Sequence, residues 1–178
     1  MGGRLLAAAI ALSAVVAGCA TGRGHGSYDG SVYRDGPVAF QLPAPPAGWR
    51  RVEVTDASLA FRDDAHDASV LVNARCHKID QDTPLVALTN HLLMGSTARE
   101  VTTQETLPFD AREALHTRGS AKWDGVPMAH DIFVLKKDGC VYDFVYTGAP
   151  SQAEAGVPAF EQFVRGFRTL PGSGMVGS

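Results

Sequence analysis

The chain has 178 residues, of which 45% are hydrophobic and 20% charged, ordinary proportions for a globular domain. Its formal net charge of −3 lacks the basic excess of a general nucleic-acid binder, so no nucleic-acid partner is expected. No apolar run is long enough for a membrane-spanning helix. The composition also excludes collagen and coiled coil.

Arg4 precedes an apolar run from Leu5 to Val16. At about a dozen residues, it has the length of a secretory signal's hydrophobic region. Val16-Ala17-Gly18-Cys19 follows and resembles a bacterial lipobox: a branched apolar residue, two small residues, then cysteine. The resemblance implies removal of residues 1–18 as a lipoprotein signal peptide. It also implies a diacylglycerol thioether on Cys19, whose sulfur is the nucleophile for lipid transfer. Two or more acyl chains would anchor the protein stably. Ala20 after the cysteine, in place of Asp, resembles outer-membrane sorting in enteric bacteria. The bland alternative is an ordinary secretory signal with a chance cysteine.

Residues 20–36 hold five glycines and few apolar side chains. With Cys19 they read as a flexible tether, residues 19–36, with an r.m.s. reach of roughly 20–25 Å. Tyr28 and Tyr33 are then solvated, or anchor a partner. Residues 172–178 read as a disordered tail. A single folded domain is expected over residues 37–171.

Within it, Val38, Phe40 and Leu42 alternate with Ala39 and Gln41, as in a half-buried strand. After the turn cluster Pro43 to Gly48, extended runs follow at Trp49–Val54 and Leu59–Phe61. Asp63, Asp64 and Asp67 read as a solvated turn, with a weak Ca²⁺ site conceivable among their hard oxygens. Ala68–His77 is a strand with Val70, Val72, Ala74 and Cys76 on one face. The period then changes: Leu85, Leu88 and Leu92 predict a helix, with Thr83 as N-cap, Pro84 at the first helical position and Gly95 as its stop. Glu100–Leu107, Glu113–Trp123, Met128–Lys136 and Cys140–Thr147 form a meander. Asp124-Gly125 and Lys137-Asp-Gly139 are its hairpin signals. Ser151 to Glu154 resembles a capping box. Phe160, Phe163, Val164 and Phe167 then form one apolar helical face, although Gly156 and Pro158 leave a restart of the helix open.

Strands, helix, antiparallel strands, helix is an α+β order with a mostly antiparallel sheet. Strands apolar on both faces call for helices on both. The order resembles the PsbP and Mog-type family. The resemblance rests on Phe40-Gln-Leu-Pro43 before Gly48-Trp49-Arg50, on Leu59-Ala-Phe-Arg-Asp63 before Ala68-Ser-Val-Leu-Val-Asn73, and on Phe144-Val-Tyr146 before Phe160, Phe163 and Phe167. It spans nearly all of residues 40–170 and implies an α/β/α sandwich around an antiparallel sheet. The family's members include lumenal photosystem II accessory subunits, a nuclear Ran-binding factor and bacterial envelope lipoproteins. They are largely binding and assembly proteins, with no shared catalytic residues to carry over.

Cys76 and Cys140 are the even pair left beside Cys19. They form either a disulfide or two separate buried thiols. A bridge would close a loop of about 65 residues and stabilise by roughly 4 kcal/mol. The six histidines are His25, His66, His77, His91, His116 and His130. None is paired at helical i,i+4 spacing, and no metal site or cofactor is expected; His116 and His130 are candidate cross-strand neighbours. Gly22-x-Gly24-x-Gly26 precedes no helix, so it is not a phosphate loop. No activated nucleophile is present, and no catalytic residue is expected.

The sequence therefore suggests a non-catalytic binding or assembly module, lipid-anchored at the periplasmic face of the outer membrane and acting on an envelope protein. The alternative is a small-ligand or lipid carrier. Its pocket would lie between sheet and C-terminal helix, lined by Tyr142, Phe144, Tyr146, Phe160, Phe163 and Phe167.

Overall fold

The computed structural model describes residues 26–76 and 82–171. The signal segment, Cys19, the first part of the tether, His25, His77 and the tail from 172 lie outside the described residues.

Seven antiparallel strands form the main sheet, in the order β4-β5-β6-β10-β9-β8-β7. They are β4 (Trp49–Val52), β5 (Leu59–Asp63), β6 (Ala68–Arg75), β7 (Thr97–Phe109), β8 (Arg112–Trp123), β9 (Val126–Lys137) and β10 (Cys140–Gly148). Four shorter strands form a second sheet: β1 (Ser27–Tyr28), β2 (Val32–Asp35), β3 (Val38–Gln41) and β11 (Arg168–Thr169). The helices are α1 (Leu85–Leu92) and α2 (Pro150–Arg165). Among the described residues, no helix is long and apolar enough to cross a membrane.

Strand alternation divides the main sheet into two faces. Val70, Val72, Phe133, Tyr142, Phe144 and Tyr146 pack against α2 and the small sheet. Ile132, Val134 and Val141 pack against Leu88 and Leu93 of the α1 segment. Helices thus cover both faces of an antiparallel sheet, the expected α+β sandwich. The small sheet shares the α2 face, through Phe40 stacked on Tyr33 and tilted against Phe167.

Both Asp-Gly turns close two-residue hairpins. Asp124 and Gly125, like Asp138 and Gly139, have positive φ, the backbone of a type I′ turn. A third such turn, Asp110-Ala111 between β7 and β8, carries no glycine yet holds both residues at positive φ.

Three expectations are corrected. The tether does not extend to Gly36: residues 27–35 form the β1–β2 hairpin, and Tyr33 is only 2% exposed. Asp29 builds its turn, its Oδ1 accepting the N–H groups of Ser31 and Val32 at 2.9 and 2.7 Å. Thr83 does not cap α1; Pro84 occupies the N-cap position with ψ 147° and no side-chain cap bond. Nor does Ser151 cap α2, which starts at Pro150 and runs unbroken through Gly156 and Pro158. Proline at the first helical position suffices there, because its missing N–H would have been unpaired anyway.

Candidate functional site

Strands β7, β8 and β9 extend beside the first half of α2 and leave a groove of about 520 Å³. Thr103, Arg118 and Ser120 border it from the sheet, with Tyr146 at its floor and Glu154 and Val157 on the helix. Ten consecutive residues of β7, Thr97 to Thr106, are exposed, so this margin of the sheet is uncovered on both faces.

Alternation aims His116 and Arg118 of β8 and Asp131 of β9 at the α2 side. There they make a charged network. His116 Nε2 donates to Asp131 Oδ1 at 2.8 Å, and Arg118 Nε donates to Asp131 Oδ2 at 2.6 Å. Arg118 also bonds Glu161 of α2, which Arg165 reaches from one helical turn away. The His116 ring stacks on Phe133, centroids 4.1 Å apart. Burial works against the Arg118 charge, but Asp131 and Glu161 outweigh it and raise its pKa further.

His116, Asp131 and Glu161 bring ligand atoms within 4.8 Å of one another, a donor set a metal could use. The guanidinium of Arg118 already bonds both carboxylates, so the site holds its own cation. The arrangement fixes α2 to the sheet and presents half-exposed charge; it offers no nucleophile.

A second network closes the groove floor. The Asp63 carboxylate, 2% exposed, accepts from Tyr146 OH at 2.9 Å and His66 Nδ1 at 2.8 Å. Burial opposes its charge, yet the bonds from His66, Tyr146 and Trp49 prevail and hold its pKa below 3.8. Burial, then Asp63, pushes the Tyr146 hydroxyl well above its ordinary range. Gly156 makes the close approach possible: a Cβ there would overlap the Tyr146 hydroxyl. Pro158, two residues on, has no N–H for the Glu154 carbonyl. That carbonyl is left without its helical donor beside the groove.

The expected solvated turn of Asp63, Asp64 and Asp67 holds for Asp64 and Asp67, which are exposed, and is corrected at Asp63. Asp63 is buried, Asp64 pairs with Arg50 and Arg62, and Asp67 pairs with Arg62. These oxygens already serve cations of the chain itself. His116 and His130 are not neighbours either: His116 pairs with Phe133 and His130 with Gly119, on opposite faces. The His130 ring meets Trp123 edge-on at 6.3 Å, and both its nitrogens lack a hydrogen-bond partner among the described residues.

Cys76 and Cys140 are joined by a disulfide with an S–S distance of 2.08 Å, directly across from each other at the ends of β6 and β10. The six aromatic residues expected to line a carrier pocket do not line one. All are at most 2% exposed. Tyr142 and Phe144 lie 5.0 and 4.9 Å from Phe167, and Tyr146 lies 5.4 Å from Phe160. They fill the space between sheet and helix with one another. Of the six, only Tyr146 reaches the groove.

Sequence reasoning missed the Arg118–Asp131–Glu161 network. The available signal was Asp131, a charge flanked by Ala129, Phe133 and Leu135 on the same face of its strand.

No family model matches the sequence, and no curated protein matches it. Solved structures do match. The solution structure of cyanobacterial PsbP (CyanoP) from Synechocystis sp. PCC 6803 is 18% identical, with a TM-score of 0.53, and the match covers 84% of this chain and 99% of that one. LpqN, involved in cell envelope biogenesis of Mycobacterium tuberculosis, is 14% identical over 74% of this chain and 83% of its own, with a TM-score of 0.53. The Saccharomyces cerevisiae Ran-binding protein Mog1p is 14% identical over 75% and 90%, with a TM-score of 0.51. These likenesses establish the PsbP/Mog-like fold.

Proposed function

We propose that this chain is a non-catalytic binding or assembly module of the cell envelope, held at the periplasmic face of the outer membrane by lipid on Cys19. It receives a segment of an envelope protein in the groove between α2 and strands β7–β9. The observation that carries this reading is the groove itself. It is open and lined by both polar and apolar groups, and it is bordered by an uncovered sheet margin, a half-exposed arginine and the turn of α2 that carries Pro158. Arg118 and Asp131 are held in fixed pairs, which suits recognition. LpqN is a fold neighbour described as acting in envelope biogenesis, and Mog1p one described as binding Ran. Both add weight to a binding role. The carrier reading loses its pocket, because the aromatic residues meant to line it occupy that space.

Photoreactive residues at Thr103 and Glu154, with Glu113 at the other end of β8 as control, test the reading in cells. The expected result is one dominant envelope protein joined through a single segment at 103 and 154 and absent at 113. Failure to capture any partner, where an established envelope complex is captured in parallel, overturns it. Mass spectrometry of the N-terminal peptide tests the lipid on Cys19 separately.

A further inference from the structure

The two ends of the domain differ in what they carry. At one end lie Asp35 at the end of β2, Asp56 before β5, Arg75 at the end of β6, and the β9–β10 turn. Asp35, Asp56 and Arg75 border one cleft, and Arg75 pairs with Val141, next to Cys140. Gly26 belongs to this end: its N–H donates to the Tyr33 hydroxyl, and a Cβ on it would press on Asp35. At the other end lie Gly148, the start of α2 and the groove. Strand β10 runs from one end to the other, Cys140 to Gly148, a rise of about 27 Å.

Gly26 is seven residues after Cys19. Fully extended, seven residues span about 25 Å; their r.m.s. reach is about 15 Å. With β10 upright on the bilayer, the groove, which begins at Tyr146, would meet the membrane only if the chain ran back about 20 Å along β10, beyond its r.m.s. reach. The Gly26 end also bears a cleft of about 290 Å³ edged by Arg112, Lys136 and Lys137. Asp110 and Asp138 lie beside these three cations, so the cluster carries a small positive excess.

We propose that the Gly26 end is a membrane-docking surface whose cationic cleft lies against anionic phospholipid headgroups, and that the groove points away from the membrane. The proposal rests on the lipid anchor at Cys19 put forward above. It narrows the partner to a protein that reaches the domain from the aqueous side.

The test uses the full lipidated protein in vesicles of phosphatidylethanolamine with 30% phosphatidylglycerol (roughly the charge density of an anionic leaflet). A fluorophore is placed through Asp56→Cys or Ser151→Cys, with the native disulfide intact. Quenching by a headgroup nitroxide lipid is then compared. The expected result is severalfold stronger quenching at position 56 than at 151. Inserting about 15 Gly/Ser residues after Ala20 should erase the difference, since r.m.s. reach grows with the root of length. In wholly zwitterionic vesicles the contrast should shrink at least twofold; an unchanged contrast removes the cleft from the docking surface. Equal quenching, or stronger quenching at 151, with lipid on Cys19 confirmed by mass spectrometry, overturns the orientation alone. Absence of lipid on Cys19 overturns the anchor reading and this proposal with it.

Discussion

The two faces of the main sheet are built from different materials. The α2 face is aromatic: Phe40, Phe61, Phe133, Tyr142, Phe144, Tyr146, Phe160, Phe163 and Phe167 are all buried there. Most of these rings touch at least one other, as Phe163 does with Phe61 at 5.7 Å. The α1 face is aliphatic and small, with Leu88, Leu93, Ile132, Val134 and Val141 as its buried cluster. It also carries buried polar groups: Asp143, paired with Arg75, and the unbonded His130. A fully buried aromatic ring removes more apolar surface from water than a leucine. The α2 face therefore holds most of the stabilising area, and the α1 face is the weaker attachment. A domain built this way can loosen α1 while the groove, made by α2, keeps its shape.

Truncations on each side put this to the test. Phe160→Ala should destabilise by about 3–5 kcal/mol, read by urea denaturation, whereas Leu88→Ala should cost about 2–3 kcal/mol, at the low end for buried leucines. Equal costs would break the asymmetry. Arg118→Ala should cost roughly 2–3 kcal/mol, because Asp131, 1% exposed, would keep only His116. That is below the 3–5 kcal/mol of a fully buried pair, since 41% of the Arg118 side chain is exposed. Partner capture at position 103 should weaken with it.

Acid should act on the α1 face first. Burial lowers the pKa of His130 below 6.5, with neighbouring Asp131 opposing. The unfolded chain therefore binds the proton first, so stability is whole above pH 6.5 and declines below it, down to the folded pKa. Asp63 shifts downward from 3.8, so its contribution is present above that value and lost only in stronger acid. Denaturation curves from pH 7.5 to 5 should show a slope that His130→Leu flattens; an unchanged slope would remove His130 as its source. The smallest effect belongs to a turn outside both faces. Ala111→Gly, at φ 60°, should stabilise by about 0.5–1 kcal/mol, because left-handed strain is relieved against glycine's extra chain entropy. A loss on thermal denaturation would show that the Ala111 methyl packs usefully.

Regular alternation made the long strands legible, and the Asp-Gly pairs made two of the hairpins legible. The Phe160, Phe163, Val164 and Phe167 stripe gave the core face of α2 and of the residues just beyond it. The β1–β2 hairpin was hidden because the five glycines of residues 20–36 look like a tether; Val32 and Tyr33, after an aspartate able to cap a turn, were the signal to weigh. The helix starts were misplaced because prolines at 84 and 150 outrank nearby hydroxyls in setting where helical φ/ψ begins. The groove was invisible for a deeper reason. Its floor joins Asp63 to Tyr146 across 83 positions, and its network joins Arg118 to Glu161 across 43. Local periodicity carries no information about such pairings. A stripe of aromatic residues is likewise silent on whether it faces a cavity or other aromatic residues.

The disulfide has a mechanical consequence. A protein pulled from outside bears tension along its chain, and a covalent link takes load past whatever lies between its ends. Cys76 and Cys140 enclose a separation of 64 residues, including α1 and strands β7 to β9. Released, that length would add roughly 220 Å of extensible chain. While the link is intact, a pull transmitted through the backbone crosses from β6 to β10 directly. The segment between the two cysteines then lies outside the load path of a pull applied to the chain on either side of them.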